Sequence, residues 1–278
     1  MAVKIVTDST SDITPKQGKE LGITIIPLTV NFGAKEYTDG VDITAEEFYA
    51  RLRVATELPK TSLINVATCF DTFSKFSDED EIVAIFISSE LSGSFQSANV
   101  AKGMLEHKKL ILVDSRMVAF GLAALVHVAV GLRDAGYSAQ GIADRINEIK
   151  NKLILHAVID DLKYLKLGGR LSSTSAAVGT MLHLKPIIAV AEGKVTVVHK
   201  AFGMIRAFDW MVDQYKETDV DLTLPRYFGH SDAPEVVEKF AKFVNKHIDF
   251  PADHVMPIGI TVGTHAGPGA VGFCYFKK

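Results

Sequence analysis

Four short segments of this 278-residue chain gather hydroxyls, glycines or a displayed charge: Thr61-Ser62, Ser88-Ser89-Glu90-Leu91-Ser92-Gly93-Ser94, Gly168-Gly169-Arg170 and His265-Ala266-Gly267-Pro268-Gly269. The serine-rich segment follows the apolar run Glu81 to Ile87, at the carboxyl end of an expected strand, where open parallel sheets hold their ligands. Gly93 would let a ligand approach the backbone. Ser94 opens an expected helix, whose free N–H groups and dipole favour an anion. The same serines would serve as ordinary helix caps, and the segment alone leaves the two readings level. The glycines after His265 can turn successive N–H groups toward an anion, although a single histidine is more often structural. Arg170 behind two glycines reads either as a solvated charge after a helix C-cap or as a guanidinium for phosphate or for a partner's carboxylates.

One pattern has the look of a hydrolase. Gly229-His230-Ser231-Asp232-Ala233 approximates G-x-S-x-G between an expected strand and helix, and Asp253 with His254 or His265 would complete a serine, aspartate, histidine order. Ser92 with Asp114 and His265 is a second such set. Against Ser231 stands a plainer reading, in which Ser231 or Asp232 caps a helix that has Pro234 in its first turn. The preceding strand also contains Asp221 and Pro225, unsuited to a central hydrolase strand. H-E-x-x-H, clustered cysteine and histidine, a P-loop and a dinucleotide fingerprint are all missing, so neither a metal nor a cofactor is expected.

The elements that must position these residues alternate in type. Val3–Val6, Ile23–Val30, Glu81–Ile87 and Leu110–Val113 read as strands. Helices are expected after Thr14-Pro15, after the Thr44-Ala45-Glu46-Glu47 capping box near 48–52, over 68–76, over 96–105, and twice after Asp114-Ser115, the second capped by Ser138. Lys60 to Ser62 reads as loop. Such alternation predicts a parallel sheet covered by helices. Beyond about residue 160 the pattern changes to a hairpin (187–190 with 194–199 around Glu192-Gly193), a helix over 205–215, a strand over 222–228, a helix over 234–247, and two strands around His265 within 256–276. The expected architecture is an α/β/α N-terminal domain over 1–158, from which the Thr61 segment may extend to the second domain, and an α+β C-terminal domain with a mixed sheet over 159–278.

Composition narrows the classes. Hydrophobic residues make up 47% and charged residues 23%, enough apolar content for a sizeable core, and a net charge of −3 offers nothing to nucleic acid or to an anionic membrane. The apolar run from Met117 to Leu132 falls short of a membrane span and reads as a buried helix. Cys69 and Cys274, far apart and outside any C-x-x-C, read as buried thiols in a reducing compartment; with no secretory signal recognisable, the cytoplasm is expected.

Taken in order, Ile5-Val6-Thr7-Asp8-Ser9-Thr10, Lys60-Thr61-Ser62, Leu91-Ser92-Gly93-Ser94-Phe95-Gln96-Ser97-Ala98, Val113-Asp114-Ser115, Leu162 to Arg170 and His265-Ala266-Gly267-Pro268-Gly269-Ala270 resemble the DegV family. The resemblance implies a two-domain α/β fold with a long-chain fatty acid held between the domains. It also implies the part of a FakB-type lipid-binding subunit, which presents an acyl carboxylate to a separate ATP-dependent (Dak-type) fatty acid kinase subunit for conversion to acyl phosphate, a precursor in phospholipid synthesis. Carried over by position, Thr61 and Ser92 would hydrogen-bond the carboxylate, Ser62, Gly93 and Ser94 would line the head-group site, His265 would approach it directly or through water, and Arg170 would face the kinase. No catalytic residue in this chain and no stable membrane insertion are implied. The chain departs from the family at Leu63-Ile64-Asn65 and at Ser94-Phe95. A serine hydrolase, or a carrier of another amphipathic acid, remains the alternative.

Overall fold

The structure is a computed structural model that describes residues 2–106, 108–172 and 184–278. The chain opens with β1 (Val3–Asp8), a 3-10 turn (Ser9–Ser11), α1 (Pro15–Glu20) and β2 (Thr24–Ile26). It continues through β3 (Thr29–Phe32), β4 (Lys35–Thr38), α2 (Ala45–Val54), β5 (Lys60–Ser62) and α3 (Val66–Ser74). Next come β6 (Glu81–Phe86), α4 (Ser94–Gly103), β7 (Lys109–Asp114), α5 (Ala119–Asp134) and α6 (Ala139–Ile149). The remainder comprises β8 (Leu153–Val158), α7 (Lys163–Leu167), β9 (Leu184–Ala191), β10 (Lys194–Phe202) and α8 (Met204–Lys216). Last are β11 (Tyr227–His230), α9 (Pro234–His247), β12 (His254–Pro257), α10 (Ile260–Ala266) and β13 (Val271–Phe276).

Three sheets organise these elements. A parallel sheet runs β2-β1-β6-β7, a mixed sheet runs β10-β9-β8-β13-β11-β12, and a small antiparallel sheet runs β4-β3-β5. The expected α/β fold with a parallel and a mixed sheet is borne out. Between the two large sheets lies α5, in contact with β1, β8 and β11 and buried along most of its length. Phe120 at its start packs so closely under Gly229 that a Cβ there would sit 2.0 Å from the ring. An all-round apolar helix is stable only in such a doubly covered position. Among the described residues no helix is long and apolar enough to cross a membrane.

Local signals held where the chain satisfied its own backbone. Thr14 with Gln17 and Thr44 with Glu47 both form reciprocal capping boxes, and Ser138 caps α6 by accepting from Gly141 N. Glu192 and Gly193 both take positive φ between β9 and β10, as a tight hairpin requires.

Four expectations need correction. The single strand over 23–30 is broken at Pro27, which lacks the N–H a ladder needs, so β2 stays with β1 while β3 joins the small sheet. Lys60 to Ser62 is a strand, with Thr61 opposite Val30 and Ser62 opposite Thr29. Of 222–228 only the end is strand; Leu222 to Leu224 form a turn in which Asp221 accepts from Thr223 N. His265 lies in a helix, α10, and not between two strands. Two strands were unforeseen: β4, which pairs with β3, and β8, which is hydrogen-bonded within the mixed sheet just ahead of the division expected at 158. Cys69 and Cys274 are both free thiols, buried in different hydrophobic clusters.

Candidate functional site

A hydroxyl–imidazole pair and a pair of serines meet at one cavity. On the first side, β5 presents Thr61 and the last turn of α10 presents His265, with Thr61 Oγ1 2.9 Å from His265 Nε2. The imidazole rests on Gly168, where a Cβ would come within 2.2 Å of Nδ1. The first glycine of Gly168-Gly169-Arg170 thus makes room for the ring. The second, at φ 69°, turns the chain back. Arg170 then folds inward, Nε donating to Leu91 O at 3.2 Å and Nη1 to Gly168 O at 2.6 Å. Burial first, and the Arg170 charge second, push the His265 imidazole down to about 4, so the ring is neutral at physiological pH.

On the second side lies the segment after β6. Its start is pinned by the buried Asp8, which accepts from Ile87 N at 2.7 Å and from both Thr10 N and Thr10 Oγ1. Burial raises the Asp8 carboxyl to about 6 despite these donors. Gly93 occupies the N-cap of α4, so no cap side chain is offered there. Ser92 Oγ instead accepts from Ser94 N at 3.3 Å and lies 2.9 Å from Ser94 Oγ, which accepts from Ile64 N at 3.1 Å. Either hydroxyl of the pair can donate; in one arrangement Ser94 Oγ, which accepts from Ile64 N, gives its proton to Ser92 Oγ. That leaves the Ser92 proton available for an acceptor in the cavity.

The cavity, about 200 Å³, is lined by Thr61, Ser62, Ser92, Gly93, Arg170 and His265 together with an apolar wall. Val118 and Phe120 at the start of α5, Leu155 of β8, Ile188 and Val190 of β9 and Val195 of β10 belong to that wall. Of the site residues carried over from the family resemblance, Ser94 alone stands behind the lining, fully buried. Thr10 and the start of α5 were missed. Thr10 was named only as the end of the first family-like segment, and nothing local to residues 118–120 marks them as facing a cavity.

The hydrolase sets do not assemble. Ser231 is fully buried, and its Oγ accepts from Ala270 N at 2.9 Å. Asp253 accepts from Arg226 N, and His254 stacks on His127. Ser231 is not an N-cap either, because α9 starts from Ala233 with Pro234 following, and Asp232 pairs with Arg53. In the second set, Asp114 accepts from Ser89 Oγ and Ser89 N, while Ser92 and His265 bond to Ser94 and Thr61. Among the described residues no three histidine, cysteine, aspartate or glutamate side chains group so as to hold a metal ion.

With this geometry in view, comparison with known proteins is decisive about kinship. The family model described as "Uncharacterised protein, DegV family" matches residues 2–278. The chain belongs to the DegV family. A DegV domain-containing protein of Caldanaerobacter subterraneus subsp. tengcongensis is 34% identical over 279 residues, covering 99% of each chain. Among solved structures, a fatty-acid-binding DegV family protein from Thermus thermophilus superposes with a TM-score of 0.90 at 26% identity, covering 100% of both chains. A stearic-acid-binding protein from Eubacterium ventriosum ATCC 27560 superposes with a TM-score of 0.88 at 27% identity, covering 100% of this chain and 99% of that one. The resemblance to DegV proteins expected from the ordered motifs is borne out, and structures in this family bind fatty acids.

Proposed function

We propose that this DegV protein binds a long-chain fatty acid between an N-terminal part (1–158) and a C-terminal part (159–278) and presents its carboxylate to a separate ATP-dependent kinase subunit. The observation that carries the reading is the meeting of the Thr61–His265 and Ser92–Ser94 pairs at one apolar cavity. A chain with about 14 methylenes gains on the order of 11 kcal/mol gross on burial, much of it offset by ordering and association costs. The tail supplies affinity, and the hydroxyls of Thr61 and Ser92 orient the head group at about 1.5–3 kcal/mol per charged hydrogen bond. In the tautomer that carries its proton on Nε2, the neutral His265 donates to Thr61 and frees the threonine proton for the carboxylate. Ser62 and Gly93 border the head group, and Ser94 orients Ser92.

A carboxylate held by hydroxyls, with the Arg170 guanidinium already donating to the Leu91 and Gly168 carbonyls, keeps an oxygen nucleophilic toward a γ-phosphate. The Mg²⁺ and phosphate-holding groups that phosphoryl transfer needs belong to the kinase. The kinase-facing surface would take in the half-buried Arg170 and the exposed Leu167 of the same segment. The acyl phosphate so formed feeds phospholipid synthesis in the cytoplasm. The test is to incubate the lipid-loaded protein with Mg·ATP, with and without a fatty acid kinase subunit of the same family of systems. Acyl phosphate is expected only when both proteins are present, and Arg170→Ala, at a residue that also lines the cavity, should lower its formation by clearly more than it lowers lipid binding. Acyl phosphate formed by this chain alone, or equal loss of lipid binding in Arg170→Ala, would contradict the assignment.

A further inference from the structure

His265 is carried by α10, and the far end of α10 is held in an unusual way. Its N-cap is Gly259, which has no side chain to accept the first N–H groups of the helix. Two acids far away in sequence accept them. Asp12 Oδ1 accepts from Gly259 N at 2.9 Å, and Asp39 Oδ2 accepts from Thr261 N at 3.3 Å. Asp12 follows the 3-10 turn in the left-handed region at φ 57°, and Asp39 follows β4. They are only 7% and 8% exposed. Burial raises both carboxyls above the ordinary range, and for Asp12 the charges of Asp39 and Asp8 add to the effect.

This arrangement is costly, since same-sign carboxylates are buried together and Asp12 Oδ2 has no hydrogen-bond partner. A serine or asparagine at the N-cap would satisfy the same donor more cheaply. Other ionisable groups nearby are otherwise engaged: Asp42 accepts from Thr38 N, Glu47 completes the α2 capping box, Asp232 pairs with Arg53, and Tyr49 OH donates to Ile258 O at 3.0 Å. Tyr49 also fills the space beside Gly263, where a Cβ would lie 2.4 Å from its hydroxyl, and Tyr164 fills that beside Gly267. The helix is wedged between two tyrosines at its flanks and anchored at its start. His265 stands six positions after Gly259. A displacement of the start is carried along one rigid turn and a half to the ring.

We propose that Asp12 and Asp39 are positioning residues for the head-group site: by holding the first N–H groups of α10 they set His265 against Thr61 and so set the affinity for a carboxylate. The inference rests on the fatty-acid reading and names how that same site is tuned from the opposite end of the helix.

The experiment compares Asp12→Ala, Asp39→Ala and the corresponding Asn variants for binding of palmitate and of the primary alcohol with the same chain, and records the His265 ring resonances by NMR. The alanine variants should lose about tenfold in palmitate affinity, the loss of one weakened hydrogen bond to a charged group, with the alcohol unaffected. Asp12→Asn and Asp39→Asn, which keep an accepting oxygen, should restore palmitate binding. In a His265→Ala background the aspartate substitutions should have no further effect. Equal losses for palmitate and alcohol, or an undiminished loss without His265, would reduce the acids to a structural role and overturn the proposal. Where an alanine variant does not fold, the serine variant, with its shorter acceptor, is held to the same outcomes. Failure of the unmutated protein to take up palmitate would sink the fatty-acid reading. The His265 resonances would then still decide the positioning claim, a shift in Asp12→Ala supporting it and unmoved signals overturning it.

Discussion

Ser92 and Ser231 occupy like places in the chain, each after a strand and ahead of a helix, yet they have opposite fates. Ser231 is sealed: its N–H donates to Ala270 O, its carbonyl accepts from Gly269 N, and its hydroxyl oxygen accepts from Ala270 N. Ser92 is half-buried at an apolar cavity, its oxygen accepting from Ser94 N and lying 2.9 Å from Ser94 Oγ. One serine ties β11 to the turn ahead of β13. The other is an oriented donor. A strand–serine–helix pattern therefore says little about chemistry until the partners of the hydroxyl are known.

The comparison can be broken by substitution. Thr61→Ala with Ser92→Ala removes both oriented donors and should lower fatty acid affinity on the order of a hundredfold, with a nearly unchanged melting temperature, as read by calorimetric titration alongside thermal unfolding. Ser231→Ala should do the reverse. Leaving Ala270 N–H buried and unpaired costs about 1–3 kcal/mol in urea unfolding while lipid affinity stays put. A loss of affinity as large as that of the Ser92 variant would erase the distinction.

Gly168→Ala sharpens it further, because the new methyl would meet His265 Nδ1 at 2.2 Å. The ring must move, and affinity should fall roughly tenfold with the stem of the cavity intact. The smallest effect concerns pH. Asp12 has a raised folded-state pKa, so the stability it contributes is full below its unfolded value and is lost as pH rises through the folded one. Asp12→Asn, which sacrifices no bond at the unpartnered Oδ2, should raise the melting temperature by about 2 °C at pH 8, and the gain should vanish in acid. His265 has the opposite sign. Held neutral with its pKa at about 4, it costs stability as pH falls from roughly 6.5 toward that value. His265→Gln should flatten the acid limb of a stability–pH curve.

Sequence reasoning reached those features whose cause is local. The capping boxes at Thr14 and Thr44, the apolar run of β6 and the Glu192-Gly193 hairpin turn each contain their own explanation within a few residues. It missed β5 because Lys60-Thr61-Ser62 is a strand only through its pairing with β3. It missed α10 because Thr261, Val262 and Thr264 are β-branched and Gly263 interrupts them, a composition that favours strand. Packing against Tyr49 and Tyr164 and capping by Asp12 and Asp39 override that preference. Asp12 and Asp39, which hold the start of α10, thus come from more than two hundred positions away, and no window on the sequence brings them together with it.

The most direct test of the account is to purify the protein gently, denature it, extract with organic solvent and identify by mass spectrometry what is released. A fatty acid of about 14–18 carbons near one equivalent per chain, retained by the unmutated protein and lost from the Thr61→Ala, Ser92→Ala variant, is the predicted result. A protein that comes off empty and takes up no added fatty acid would contradict it.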